Sequence, residues 1–113
     1  MIKVSLDALA REQLAAAHRA PSGRAASTVI GGHERVMRQT VVALVAGAEL
    51  SEHENPGEAS LYVLSGRVEL HSGGDTWSAR TGDLVEIPPA RHSVLAIEDS
   101  AVLLTAVPRE HAN

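Results

Sequence analysis

The sequence predicts an all-β fold, two packed sheets or a barrel, with one α-helix at its N-terminal end. Three observations carry this. Helical periodicity occurs in one place only, before residue 20. From Ser27 onward, short Val-, Ile- and Leu-rich runs alternate with Gly, Asn, Asp and Pro punctuation. Many short strands at such spacing, with turns between them, make a sandwich or barrel rather than a helical or alternating architecture.

The helix is predicted from residue 5. Ser5 is a good N-cap, and Asp7 puts a negative charge in the first turn, where the helix dipole favours it. Leu6, Leu9, Ala10, Leu14 and Ala17 recur at three- and four-residue steps, which makes one apolar stripe. Ala20-Pro21-Ser22-Gly23 stops the helix, because the residue before proline avoids helical angles. The stripe is expected to cover a face or end of the β-structure. A lone helix carrying both signs of charge is a poor DNA reader.

The strands are predicted at Thr28-Val29-Ile30, Val41 to Ala46, Leu61 to Leu64, Val68 to His71, Leu84 to Ile87, Val94 to Ile97 and Val102 to Val107. Gly31-Gly32, Pro56-Gly57, Pro88-Pro89 and Glu98-Asp99 separate them. Ser72-Gly73-Gly74-Asp75, between two short runs, reads as a hairpin turn. The tail from Arg109 to Asn113 carries no pattern and reads as frayed.

Composition narrows the function classes. At 113 residues the chain fits one core. It has no Phe, one Trp and one Tyr, so the core is built from small aliphatic side chains and offers no stacking platform for bases. A net charge of −4 repels phosphates overall. No cysteine is present, so there is neither a disulfide framework nor a thiolate site. No run reaches the ~18 apolar residues of a membrane span, and the start lacks a signal-peptide pattern. These features lead to the expectation of a cytoplasmic protein that binds neither nucleic acid nor membrane.

Two segments hold the chemistry-bearing residues. One runs from Gly47 through Ser51-Glu52-His53-Glu54-Asn55-Pro56-Gly57-Glu58-Ala59 to Gly66; the other is Gly82-Asp83-Leu84-Val85-Glu86-Ile87-Pro88-Pro89-Ala90-Arg91-His92. Together they resemble the paired motifs of the cupin superfamily, in its small single-domain, RmlC-like form, over roughly residues 40 to 107. The resemblance implies a double-stranded β-helix, a jelly-roll barrel over about residues 25 to 107. Residues 1–24 would be the N-terminal helix and linker, and 25–113 one barrel domain.

In that pattern, two histidines one residue apart, a glutamate seven residues before the closing glycine and a later histidine hold a divalent metal inside the barrel. Carried over, His53 matches the first histidine and His92 the last. Asn55 stands in place of the second histidine and Ala59 in place of the glutamate. The second motif is one residue shorter than the pattern, with Ala90 in place of its glycine. Asn55 offers a neutral amide oxygen, and Ala59 offers nothing. Glu58 and Glu54 are directed to the opposite face by strand alternation. The expected metal set is therefore His53, His92 and Asn55, with Fe, Mn, Ni or Zn as the ion. An alternative is that both histidines are hydrogen-bonded core residues, and another is a metal-free pocket for an organic ligand.

Other candidates are weaker. His33 and His71 lie in strand-like runs, with His71 on the parity that faces solvent. His18 ends the helix and His111 lies in the tail. Gln39 and Thr40 reach either the cavity or its rim, Tyr62 packs between sheets or subunits, and Arg91 either clamps a carboxylate or sits in the solvated rim. No nucleophile elbow, phosphate loop or dinucleotide fingerprint occurs, so catalytic residues stay unassigned. The functional expectation is a small cupin with a metal or small-molecule site and oxygenase- or isomerase-type activity. The alternative is a non-catalytic ligand-binding or sensing cupin with a vestigial metal site. The apolar segments around Thr28-Val29-Ile30 and Val36-Met37 are expected to form a two-fold homodimer interface.

Overall fold

The computed structural model describes residues 2–32, 34–53 and 57–108, the side chains of Glu52 and His53 excepted. Helix α1 spans Leu6–Arg19, and the strands are β1 Arg24–Ile30, β2 Arg38–Leu44, β3 Glu49–His53, β4 Gly57–Ser65, β5 Arg67–Ser72, β6 Asp75–Arg80, β7 Leu84–Ile87, β8 His92–Ala96 and β9 Ser100–Pro108. They form a five-stranded sheet in the order β1-β2-β9-β4-β7 and a four-stranded sheet in the order β3-β8-β5-β6. All pairings are antiparallel. This is a jelly roll with one helix, as the sequence predicts. Neither sheet closes on itself among the described residues, so the expected barrel is an open two-sheet sandwich.

Strand alternation builds two apolar layers. Val42, Leu44, Leu61, Val63, Val102 and Ile87 of the larger sheet meet Val68, Leu70, Ala79, Val94 and Ala96 of the smaller one. Val41, Ala43 and Ala101 take the opposite parity of the larger sheet and are equally buried. That outer face is where α1 packs, mainly against β1 and β2, with Ala10 and Ala17 as its buried residues. The small alanine side chains let the helix lie close to the sheet.

The helix boundaries follow the local signals. Ser5 Oγ accepts a hydrogen bond from the Ala8 amide at 3.2 Å, and Ala20, in extended geometry before Pro21, closes the other end. His18 Nε2 meets Asp99 Oδ2 at 2.7 Å, tying the last helical turn to the β8–β9 turn. The same carboxylate accepts from the Ala46 amide at 2.8 Å. An exposed ion pair contributes ~0–1 kcal/mol, whereas truncating a fully buried leucine such as Leu44 costs about 2–5 kcal/mol. Burial therefore holds the layers together, and the His18–Asp99 contact sets the position of the helix end.

Some elements differ from the sequence reading. β1 starts four residues before Thr28, and β3 and β6 are full strands in stretches too polar to show an apolar run. Val36 and Met37 are exposed and precede β2 without being strand. The expected hairpin is present: Ser72 pairs with Asp75, and Gly73 has φ of +60°. A positive φ at the first central residue is what a two-residue hairpin of type II′ demands. His33, Glu54, Asn55, Pro56 and the tail with His111 lie outside the described residues.

Gly66 joins β4 to β5 with φ of +92°. A Cβ there would run into the Asp99 carbonyl oxygen and the Ser100 side chain. Ser100 is fully buried, and its hydroxyl accepts from the Arg67 amide at 3.0 Å while facing the carbonyls of Arg67 and Glu98. The two β-turns thus interlock around one missing side chain. Gly66→Ala should lower unfolding free energy by at least ~2 kcal/mol, measured by denaturant titration; a change within ~0.5 kcal/mol would contradict the interlock.

The Asp99 carboxyl is held below the usual carboxylate range, chiefly by the Ala46 amide and then by His18, against a smaller opposing effect of burial. A lowered folded-state pKa means the carboxylate stabilises the fold above its unfolded value, about 4, and loses that contribution as pH falls through the folded value. Asp99→Asn should be less stable than the parent at pH 7, with the gap closing as pH falls through the lowered folded-state value. A gap independent of pH would assign the effect to packing alone.

Candidate functional site

The site is built where β3 and β8 meet. Along β8, His92, Val94 and Ala96 are buried and alternate with half-buried Ser93 and Leu95. His92 thus continues the inner-facing row of the core, at 3% exposure. Its Nδ1 lies 3.0 Å from the Ala90 carbonyl oxygen. A carbonyl only accepts, so in the neutral ring Nδ1 carries the proton and Nε2 presents its lone pair. A ring nitrogen held in this way by a backbone carbonyl is the usual anchor of a metal-ligating imidazole.

The neighbouring turn reinforces the position. Ser72, at the inner-facing end of β5, donates from Oγ to the Arg91 carbonyl at 2.9 Å. The carbonyls of Ala90 and Arg91 are thereby both engaged, which fixes the backbone leading into β8. The Arg91 side chain is exposed beside the site.

His53 is the direct cross-strand partner of His92. The β3–β8 ladder pairs Glu49 with Leu95 and Leu50 with Val94, then shifts register before reaching His53. Such a bulge re-aims the residues that follow it. The His53 side chain and all of Asn55 lie outside the described residues, and so does the expected sharing of one cavity by these two residues and His92.

The remaining candidates separate by strand face. Ala59 belongs with the inner core residues, so the glutamate position of the motif faces inward and carries a methyl group. Glu58 is exposed on the opposite parity, as alternation requires. Tyr62, also on that parity, is 38% exposed on the outer face and does not pack between the sheets. Thr40 pairs with Leu104 on the inner parity, whereas Gln39 donates to Thr105 Oγ1 at 3.1 Å on the outer one. His71 faces outward, with Nε2 3.3 Å from Glu69 Oε1 and Nδ1 3.1 Å from Thr76 Oγ1. No group of three His, Cys, Asp or Glu side chains suited to a metal occurs among the described residues. No helix among them is long and apolar enough to cross a membrane.

The structure adds a feature that the sequence reading missed. A groove of about 860 Å³ runs along the β7 edge, lined in part by Trp77, Leu84, Glu86, Pro88 and Pro89. The one sequence signal for it was Trp77, an aromatic residue in a stretch that showed no apolar run.

A two-sheet jelly roll with an inward histidine opening β8 defines a cupin-type sandwich. A family model described as "Cupin domain" matches residues 40–108, and the chain belongs to that family. Solved structures give the same fold. A conserved protein of unknown function from Streptococcus pyogenes is 26% identical, with a TM-score of 0.70, covering 79% of this chain and 77% of that one. A cupin 2 conserved barrel domain protein from Salinispora arenicola is 23% identical, with a TM-score of 0.68, covering 93% and 87%. An RmlC-like cupin from Shewanella frigidimarina is 20% identical, with a TM-score of 0.68, covering 81% and 83%. No curated protein matches.

Proposed function

We propose that this protein is a small-molecule-binding cupin whose inner face carries a divalent transition metal on His53 and His92, with Asn55 as a neutral third donor. The observation that supports this most is His92: buried, held in the Nδ1–H tautomer by the Ala90 carbonyl, and directly opposite a second histidine in the ladder. An imidazole-dominated set suits iron, manganese, nickel or zinc rather than magnesium or calcium. When bound, such an ion would supply Lewis-acid or redox chemistry to a small organic ligand.

The donor set favours holding a ligand over oxygenase or isomerase turnover. Non-haem iron oxygenases use two histidines and a carboxylate, and position 59 here is an inward-facing alanine. A binding or sensing role needs no such carboxylate. Residues 1–24 then serve as a helix and linker attached to one cupin domain over 25–113, and a cytoplasmic setting belongs to the same reading.

We also propose a two-fold homodimer. β1 is an outer strand of the five-stranded sheet, so among the described residues one of its edges pairs with no strand. Val36 and Met37, exposed just before β2, add apolar surface near that edge. Light scattering at micromolar concentration should return twice the monomer mass, and Val36→Asp should shift it towards the monomer. A parent protein that is monomeric under those conditions would overturn the dimer.

For the metal, protein purified without chelator should contain a first-row transition ion, measured by elemental mass spectrometry after dialysis. His92→Ala should lower affinity for added Zn(II) at least about tenfold. Zn(II) affinity unchanged by His92→Ala would place the ion elsewhere and remove the basis of this reading.

A further inference from the structure

Among the described residues, His92 does not line the groove along the β7 edge, whereas Ala59, at the motif's glutamate position, does. β7 is the outermost strand of its sheet and β6 the outermost of the other. The groove wraps round the β7 edge from the outer face of the larger sheet, with Glu58, Ser60 and Glu86, to Trp77 at the open side of the sandwich. Its volume, about 860 Å³, lies in the range of pockets that enclose a small organic molecule.

The lining has two characters. Trp77 is the sole tryptophan of the chain and is 42% exposed. It pairs across β5–β6 with buried Leu70, so it is on the inner parity of its sheet but lies beyond the packed core. Pro88, Pro89 and Leu84, the last 69% exposed, extend the apolar surface. Against these stand two carboxylates, Glu58 and Glu86. Ser60 pairs with Glu86 in the β4–β7 ladder, which makes Glu58 and Glu86 diagonal neighbours on one face. No lysine, arginine or histidine lines the groove among the described residues. Neither carboxylate takes part in an ion pair there.

An indole and an apolar surface that share one groove lining with two carboxylates attract an organic cation in two ways. The ring quadrupole and the carboxylates both favour positive charge, while the prolines and Leu84 receive a hydrocarbon body. An anion of the same shape meets two like charges. We propose that this groove binds organic ammonium compounds with an apolar tail, independently of any metal at the histidine site.

Trp77 makes the test direct, because all tryptophan emission comes from the groove. The full-length protein, with EDTA present, would be titrated with hexyltrimethylammonium, hexan-1-ol and hexanoate while emission is followed. A saturable change with the cation, at about tenfold higher affinity than the alcohol and with no saturation by hexanoate, is expected. The double substitution Glu58→Gln and Glu86→Gln should bring cation and alcohol to within about threefold of each other, with the thermal midpoint unchanged. Trp77→Leu, read by calorimetry, should weaken the cation at least about threefold. Equal affinity for cation and alcohol, a cation preference that survives the double substitution, or a response that scales with protein concentration as self-association would overturn the proposal.

Discussion

The register of β4 is the constraint on which the rest depends. β4 pairs with both β9 and β7, and its inner row is Ala59, Leu61 and Val63, while Glu58, Ser60 and Tyr62 face out. A one-residue slip would exchange the two rows and place a carboxylate and a phenol in the core. Burial of Leu61 and Val63, each near the ~1.5–3 kcal/mol scale of a buried aliphatic side chain, opposes that slip. The same register decides the chemistry. It puts Ala59, at the motif's carboxylate position, on the inner face and sends the neighbouring Glu58 to the outer surface. The interlock of Gly66 with Ser100 fixes the far end of this strand and leaves the register no freedom to drift.

A core of small aliphatics has a structural consequence. With no Phe, the space between the sheets is filled by Val, Leu, Ile and Ala, and the only two large aromatics lie outside it. Tyr62 sits on the outer face and Trp77 at the open side. The packed region therefore ends before the sandwich does, and it leaves polar and half-exposed groups at its margins. His92 lies at one such margin, buried with its Nδ1 against the Ala90 carbonyl oxygen.

Much of the fold was legible because its signals are local. Ser5, Asp7 and Pro21 mark the ends of α1 by capping chemistry, and Leu84 to Ile87 is both the apolar run and the strand. The Gly73-Gly74 turn declared its hairpin in the same way. β3 and β6 were invisible as apolar runs because each spans mostly polar residues and owes its strand geometry to its partner. That is tertiary pairing, which local composition does not encode. For the site, the motif resemblance placed His92 inside, and strand alternation from the motif position placed Glu58 outside. The Ala90 carbonyl that sets the His92 tautomer, and the groove around Trp77, depend on turns and sheet edges that no periodicity describes.

The central claim is that His92 presents Nε2 towards a shared site with His53. Nitrogen-detected NMR of the histidine rings, before and after addition of Zn(II), reads this directly. The account predicts a His92 ring protonated at Nδ1, with Zn(II) shifting the Nε2 resonances of His92 and His53 together. A ring protonated at Nε2, or a metal shift confined to other histidines, would contradict it.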